Sequence, residues 1–210
     1  MTISNKLGIN TSAELMLAEE KISKQAALQL YDSGELMEHP AGTFKTLCFI
    51  HRYLFEKIYD FAGTLRTVNI AKGNFRFASA MYLQDAVSHV EKMPQSSVDE
   101  IIEKYVEMNV CHPFREGNGR TMRIWLDHIL ITEMGKCVDW ALIDKGSYLS
   151  AMERSPVNTV EINTLLKKAL TDRTDDREVF FKGLDQSYFY ENMDSFRASE
   201  LCADSVKEKL

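Results

Sequence analysis

The sequence CHPFREGNGRTMR, residues 111–123, joins two segments with helical patterns, and it is the most informative stretch of the chain. Apolar residues recur every three or four positions across residues 98–111, which predicts a helix that ends at this stretch. A second helix is predicted from Asn118, and its apolar residues lie on nearly every side. Because a helix that is apolar all round is normally buried, this one is predicted to lie at the centre of the domain.

Helical patterns also dominate the remainder of the chain. The predicted helices cover residues 12–33, 43 to about 61, 82–92, 98–111, 118 to about 130, 145–154, 160–170 and 175 to about 192. One segment differs: residues 67–78, TVNIAKGNFRFA, have β-branched and aromatic residues around a Lys-Gly-Asn turn, which predicts a β-hairpin. The sequence therefore predicts a single all-α domain with one short β-hairpin, and a polar tail over residues 194–210 that frays.

Composition and charge exclude several classes of protein. The 210 residues are 45% hydrophobic and 27% charged, which is typical of a globular domain. The net charge of -6 argues against direct contact with nucleic acid, since that usually needs a basic patch. Four widely spaced cysteines favour neither a disulfide framework nor a zinc site. Since the chain shows no apolar signal core and no long uncharged run, we expect a soluble cytoplasmic protein without membrane contact.

The glycines and arginines of the central stretch have the pattern of an anion site. Gly117, Asn118 and Gly119 lie at the predicted start of the central helix, where backbone N–H groups and the helix dipole attract phosphate. Arg120 and Arg123 are three residues apart, so they share a helix face and can bind further phosphate oxygens. Together these residues predict a phosphate-binding nest.

An imidazole and a carboxylate flank this nest. His112 follows a helix end, and a neutral histidine beside a phosphate is a candidate general base. Glu116 directly precedes the nest, where a carboxylate is suited to hold Mg²⁺ that bridges phosphates. Phe114 is expected to anchor the loop in the core, whereas His51 and His128 are expected in helices, partly buried or exposed, and not catalytic. Each feature alone is more often structural, but their combination in one short stretch favours a functional site.

Residues 112–123, HPFREGNGRTMR, resemble the Fic family signature H-x-F-x-[DE]-G-N-G-R-x-x-R at every fixed position. The resemblance to small, single-domain bacterial Fic proteins extends over residues 61–63, 69–78, 103–109 and 148–156. It implies a Fic-type helical domain in which the hairpin is a flap over the active site.

The resemblance also implies an activity. Fic proteins with this complete motif typically transfer AMP from ATP to a Ser, Thr or Tyr hydroxyl of a target protein. It implies that His112 deprotonates the hydroxyl, that Glu116 holds Mg²⁺, and that Asn118 and the neighbouring glycine backbone hold phosphate oxygens. By the same resemblance Arg120 takes the γ-phosphate and Arg123 supports the β-phosphate, while pyrophosphate leaves.

The hairpin gains a role from this resemblance. A segment of the target protein would add as a strand to the free edge of residues 67–78, so that backbone hydrogen bonds register the hydroxyl. Lys72 and Gly73 at the tip are expected to touch the nucleotide, and Asn109, one turn before His112, can also reach it. A hairpin that only covers the core, and an Asn109 that only caps a helix, are the alternatives.

Residues 187–192, SYFYEN, resemble the family's inhibitory motif [ST]-x-x-x-E-[GN]. The resemblance implies that Glu191 pairs with Arg120 in the γ-phosphate position, that Ser187 seats the helix, and that Asn192 completes the motif. An ordinary amphipathic helix with aromatic anchors is the alternative.

Two hypotheses follow from this inhibitory helix. If it detaches, Tyr188 is the expected site of self-modification, and AMP there would block the return of Glu191; self-association into a homo-oligomer is one route to detachment.

Two other functions stay open. The same site could remove AMP from a modified protein, or the protein could be a catalytically silent module that binds nucleotide and docks partners.

Overall fold

The computed structural model describes residues 2–73 and 75–207, and for residues 204–207 it describes the backbone alone. The helices are α1 (Ser12–Ser33), α2 (Phe44–Phe55), α3 (Leu83–Glu91), α4 (Val98–Cys111), α5 (Asn118–Met134), α6 (Lys145–Arg154), α7 (Val160–Lys168), α8 (Arg177–Phe189) and α9 (Ala198–Lys207). Two antiparallel pairs of short strands accompany them, β1 (Ala71–Lys72) with β2 (Phe75–Arg76) and β3 (Cys137–Val138) with β4 (Leu170–Thr171). This architecture confirms the predicted all-α class with a hairpin.

Helix α5 is central, as its apolar pattern predicts. Its Trp125, Leu126 and Ile129 side chains are fully buried, and the helix packs against α2, α4 and α8. Within the described part of the chain, no helix combines the length and the apolar composition that crossing a membrane requires. Because α5 begins at Asn118, its N-terminus brings residues 112–117 into the middle of the packed helices.

Capping side chains set several helix ends where the sequence predicts them. The hydroxyls of Thr11 and Thr43 accept backbone N–H bonds at the starts of α1 and α2. Ser97 and Glu100 form a reciprocal capping box at the start of α4, and α1 ends at Gly34 in a left-handed conformation, with φ of 67°. These local signals explain why the predicted bounds of α1 and α4 agree with the structure.

Other predicted bounds are wrong. Helix α2 ends at Phe55 and is followed by turns, whereas the prediction extended the helix to about residue 61. Helix α7 ends at Lys168 because Leu170 pairs with Val138 in a second strand pair, which the sequence analysis missed. A two-residue strand carries too little periodicity to be recognised. Helix α8 is shorter than predicted, since Asp176 caps its start.

The tail after residue 194 is not frayed over its whole length, contrary to the prediction. It contains α9, which packs on α1 through the buried Ala198 and Leu201. Before it, the carboxylate of Glu20 accepts the backbone N–H groups of Ser195 and Phe196. The packing of α9 depends on few apolar residues, so a helix was not recognised in this polar sequence. Residues 208–210 lie outside the described residues.

The hairpin is shorter than the predicted residues 67–78. Strand pairing is limited to Ala71 with Arg76 and Lys72 with Phe75. Gly73 turns the chain at the tip with φ of 58°, a conformation that glycine adopts without strain, and Asn74 lies outside the described residues.

Candidate active site

His112 ends α4 in a left-handed backbone conformation, with φ of 47°. Its ring stacks on Phe77 of the flap (residues 67–78), with 3.7 Å between ring centroids. Nδ1 lies 3.3 Å from the carbonyl oxygen of Asn109, so Nδ1 is assigned as the donor and Nε2 is left to accept a proton. Burial lowers the pKa of His112 to about 4, so the ring is neutral at pH 7 and suited to act as a general base.

Arg66 holds the end of α4 and the base of the flap together. Its guanidinium donates to the carbonyl oxygens of His112 (2.8 Å), Cys111 (3.1 Å), Val68 (2.7 Å) and Ala78 (2.6 Å). These charge-assisted bonds fix His112 relative to the flap. Arg66 was not among the predicted site residues, because its partners are main-chain carbonyls, which no residue pattern reveals.

His51 supports the other end of the loop. It is fully buried, whereas the sequence analysis expected partial burial or exposure. Its Nδ1 accepts the N–H of Gly63 at 2.8 Å, so Nε2 is the donor to the carbonyl oxygen of Glu116 at 2.9 Å. The ring also stacks on Phe114, at 3.9 Å between centroids. A signal was available, since His51 follows Leu47 by one helical turn on the apolar face of α2.

Asn118 and Phe114 close the loop from inside. The Asn118 side chain accepts the N–H of Phe114 at 2.8 Å and donates to its carbonyl oxygen at 2.7 Å. Phe114 is fully buried, which confirms its predicted role as the anchor of the loop. The Asn118 side chain therefore braces the loop, and its backbone lies at the start of α5, where a phosphate is predicted to bind.

Both glycines of the nest lie in close contact with neighbouring side chains. Gly117 has φ of 76°, and a Cβ there would lie 2.5 Å from the Phe55 ring. A Cβ on Gly119 would lie 2.4 Å from Oε1 of Glu191. The Glu191 carboxylate therefore rests directly against the nest in which a phosphate is predicted to bind.

Glu116 stands at the edge of this nest. Its Oε1 accepts the N–H of Gly117 at 3.0 Å and lies 3.4 Å from Nη2 of Arg120, and its side chain is 42% exposed. Partial burial raises the pKa of Glu116, and the charge of Arg120 opposes that rise. Among the described residues no group of three metal-ligand side chains occurs. A single accessible carboxylate fits Mg²⁺ only together with nucleotide phosphates.

Arg120 is buried and points to α1. Its Nη2 lies 2.5 Å from Oε1 of Glu19, and its guanidinium lies over the ring of Phe55. The predicted ion pair between Arg120 and Glu191 is wrong, because Glu19 takes that place. The other carboxylate oxygen of Glu19 accepts a hydrogen bond from the Tyr59 hydroxyl. Glu19 was not predicted as a site residue because it lies far from residues 111–123 in sequence.

Arg123 binds two residues of the segment 187–192, Ser187 and Glu191. It donates to the hydroxyl of Ser187 (Nε, 2.7 Å), to the carbonyl oxygen of Ser187 (Nη2, 2.8 Å) and to Oε1 of Glu191 (Nη2, 3.1 Å). Oε2 of Glu191 lies 3.8 Å from Nζ of Lys72, an otherwise exposed residue next to Gly73 at the flap tip. Positions three apart on a helix point about 60° apart, so Arg120 reaches α1 while Arg123 reaches α8.

The remaining motif residues are also accounted for. Asn192 adopts φ of 62°, which explains why glycine or asparagine suits this position, and its Oδ1 accepts from Nζ of Lys145 at 2.7 Å. Tyr188 is fully buried, with its hydroxyl 2.8 Å from Ser23 of α1. Self-modification of Tyr188 would therefore require α8 to leave its seat.

The chain is similar to proteins of one family. Residues 42–130 match the Fic/DOC family model. The chain is 29% identical over 189 residues to the protein adenylyltransferase VbhT of Bartonella schoenbuchensis, covering 83% of this chain and 38% of VbhT. It is 27% identical over 182 residues to a probable protein adenylyltransferase Fic of Salmonella typhimurium, covering 80% and 87% of the two chains. The solved structure of BepC from Bartonella tribocorum with bound AMPPNP is 19% identical, covers 81% and 93% of the two chains, and has a TM-score of 0.66, which shows a shared fold.

Proposed function

Residues 42–130 make this chain a member of the Fic/DOC family, and from that membership we propose that it is a protein adenylyltransferase. The proposed reaction moves AMP from ATP to a Ser, Thr or Tyr hydroxyl of a target protein and releases pyrophosphate. One observation carries the proposal: the neutral imidazole of His112 stands in the same short loop as a glycine-lined helix N-terminus and two arginines. The relatives named protein adenylyltransferase and the AMPPNP bound to BepC support ATP as the substrate.

In the proposed mechanism His112 receives the proton. Nε2 accepts it from the target hydroxyl as that oxygen attacks the α-phosphorus, and the bond from the α-phosphorus to the bridging oxygen of the β-phosphate breaks. The N-terminus of α5 and the guanidinium of Arg123 hold the phosphate chain in line and offset its charge. Mg²⁺ would be held by Glu116 and the nucleotide phosphates, and when bound it neutralises phosphate charge.

Glu191 supplies the proposed brake on this reaction. Its carboxylate occupies the space beside Gly119 and takes the donor groups of Arg123 that a phosphate would need. A phosphate and a carboxylate compete for the same donors, and their negative charges repel each other. Seating of α8 therefore opposes productive binding of ATP, and its release permits transfer.

The flap is the proposed docking edge for the target. Ala71 and Lys72 of β1 are exposed, so an extended segment of another protein can add to this edge. The stack of Phe77 on His112 and the bonds of Arg66 hold the flap against the catalytic loop. A hydroxyl on the added segment would then be presented to His112 with little demand on sequence.

Removal of AMP from a modified protein is the second candidate function. The position of Glu191 favours this second function. Its carboxylate is close enough to His112 for its negative charge to act upward on the pKa of that histidine, so both groups face one site. In that reaction Glu191 would position the attacking water.

Labelling separates these candidates. Wild type, Glu191→Gly and Glu191→Gly/His112→Ala are incubated with a lysate and ATP labelled at either the α- or the γ-phosphate. AMP transfer predicts that proteins retain only the α-label, that Glu191→Gly gives the strongest signal, and that His112→Ala abolishes it. Retention of the γ-label would contradict the proposal. AMP release from labelled proteins by the wild type supports the second candidate, and ATP binding without either activity indicates a silent module.

A further inference from the structure

A cavity of 440 Å³ lies between α1, α5 and α8, apart from the loop of residues 112–117. Each helix lines it with one apolar stripe, represented by Leu30 of α1, Ile131 of α5 and Leu184 of α8. Its volume falls in the range of about 300–1,000 Å³ that is typical of small-molecule sites. Between these three helices the structure therefore leaves a space that a small molecule can fill.

Two adjacent polar residues of α5, Asp127 and His128, interrupt this apolar wall. Among the described residues, Asp127 accepts hydrogen bonds only from neutral donors, the N–H of Val138 and the indole N–H of Trp140, both at 2.8 Å. No described cation forms an ion pair with it, and burial raises its pKa to about 7. His128 is 1% exposed, and neither ring nitrogen has a hydrogen-bond partner among the described residues. The wall thus holds a carboxyl group that forms no ion pair with any described cation.

The rim of the cavity carries three carboxylates and an aromatic face. Asp32, Asp175 and Asp176 line it, and the pKa of Tyr31 beside them is raised by burial first and by these carboxylates second. Arg177 forms an ion pair with Asp32 and Arg173 with Asp176, so Asp175 alone of the three has no ion pair among the described residues. The Tyr31 ring stacks on Phe180 at 3.9 Å between centroids. Carboxylates and aromatic rings both attract organic cations.

The positive groups at the cavity are already engaged. Arg123 is held by Ser187 and Glu191. Arg173 forms ion pairs of 3.3 Å with Asp139 and Asp176. Burial lowers the pKa of His128, so that ring adds no charge at pH 7. Among the described lining residues, the charged groups left without an ion pair are therefore carboxyl groups.

We propose that this cavity binds a small organic cation with an apolar body, of the class of a primary alkylamine. Its ammonium pairs with Asp127 and its hydrocarbon part fills the space between the three helices. An anion would meet the carboxylates of the wall and the rim, and a neutral alcohol would leave Asp127 without a counter-charge.

Binding in this cavity is coupled to the seat of α8. Val179, Leu184 and Ser187 of α8 form one wall, so the complete site exists only while α8 is seated. A ligand that binds one of two states stabilises that state. Occupancy therefore strengthens the hold of Glu191 on Arg123 and lowers transfer of AMP. This coupling rests on the proposed function, whereas the binding of the cation does not.

Calorimetric titration of the full chain tests the binding directly. The probes are n-hexylammonium, n-hexanol and hexanoate, which share one apolar body and differ in charge. We expect n-hexylammonium to bind about tenfold or more tightly than n-hexanol, and hexanoate not to bind. Asp127→Asn should remove the difference, while Asp60→Asn, at an exposed carboxylate outside the cavity, should keep it. Equal affinities of amine and alcohol, or no binding of the amine, would overturn the proposal.

Two further arms keep the test decisive. Ile131→Trp fills part of the cavity without changing charge and should abolish binding, so the proposal can be refuted even if Asp127→Asn fails to fold. In the transfer assay n-hexylammonium should slow the wild type and leave Glu191→Gly unaffected; equal slowing of both would overturn the coupling. If neither form transfers AMP, the proposed function fails, while the titration still decides whether the cavity binds the cation.

Discussion

Ser187→Ala is expected to release the brake without touching His112 or the nest. The Ser187 hydroxyl accepts the Nε–H of Arg123 at 2.7 Å, and both side chains are buried. The substitution leaves a charged donor without this partner, while the bonds from Arg123 to the Ser187 carbonyl (2.8 Å) and to Glu191 (3.1 Å) remain. The change is thus confined to one contact of the seated helix.

The size of the effect follows from this single contact. A hydrogen bond to a charged group contributes about 1.5–3 kcal/mol. At about 1.4 kcal/mol per factor of ten, the equilibrium between seated and released α8 shifts by about 10-fold to 150-fold. Because transfer requires the released form, the rate of AMP incorporation at saturating ATP should rise by that factor, up to the rate of Glu191→Gly.

The assay compares initial rates of AMP incorporation and melting temperatures for the wild type, Ser187→Ala and Ser155→Ala. Ser155 is a matched control, because it is also buried and its hydroxyl bonds only to the carbonyl oxygen of Met152, at 2.8 Å. A folded Ser187→Ala protein with the wild-type rate, alongside an active Glu191→Gly, would refute the reasoning. An equal gain in Ser155→Ala would refute it as well.

Three further predictions concern protonation, the support of the loop and the helix end. Since the folded-state pKa of His112 is about 4, the acid limb of kcat/KM for Glu191→Gly should lie below pH 5; a limb near pH 6.5 would contradict the assigned environment. His51 also has its pKa lowered to about 4, so unfolding takes up protons, and this part of the stability, fully present above about pH 6.5, is lost as pH falls towards 4. Urea denaturation of His51→Phe should show a smaller loss of unfolding free energy as the pH falls. At pH 7 this variant should be less stable than the wild type by about 2–4 kcal/mol, because it lacks the two hydrogen bonds of His51. An unchanged pH dependence would argue against this role of His51. Asn192→Ala should lower the melting temperature and raise transfer more than Asn192→Gly does, because both variants lose the bond from Lys145 but only glycine adopts φ of 62° without strain; identical behaviour of the two would contradict this reasoning.

Local chemistry explains what the sequence could predict. The capped ends of α1 and α4 and the buried side of α5 depend on residues that are neighbours along the chain, so their patterns are visible in sequence. The same holds for the loop of His112, because its helix ends, glycines and arginines lie within one stretch.

The errors concern contacts between distant segments. Arg66 binds main-chain carbonyls and Glu19 reaches Arg120 from α1, and neither contact leaves a periodic signal. The partner of Glu191 was wrong because two arginines three residues apart differ only in direction, which depends on where α1 and α8 pack. The strands β3 and β4 were missed because each has only two paired residues. Helix α9 was missed because only one narrow face of it is apolar and buried.

Intact-protein mass spectrometry tests most directly whether His112 transfers AMP and Glu191 restrains it. Wild type, Glu191→Gly and Glu191→Gly/His112→Ala are incubated with ATP and Mg²⁺, and each mass is compared with that of the untreated protein. We expect an AMP adduct that is strongest on Glu191→Gly and absent from the double variant. An adduct of equal extent on the wild type would contradict the brake, and an adduct that persists without His112 would contradict its role as the catalytic base.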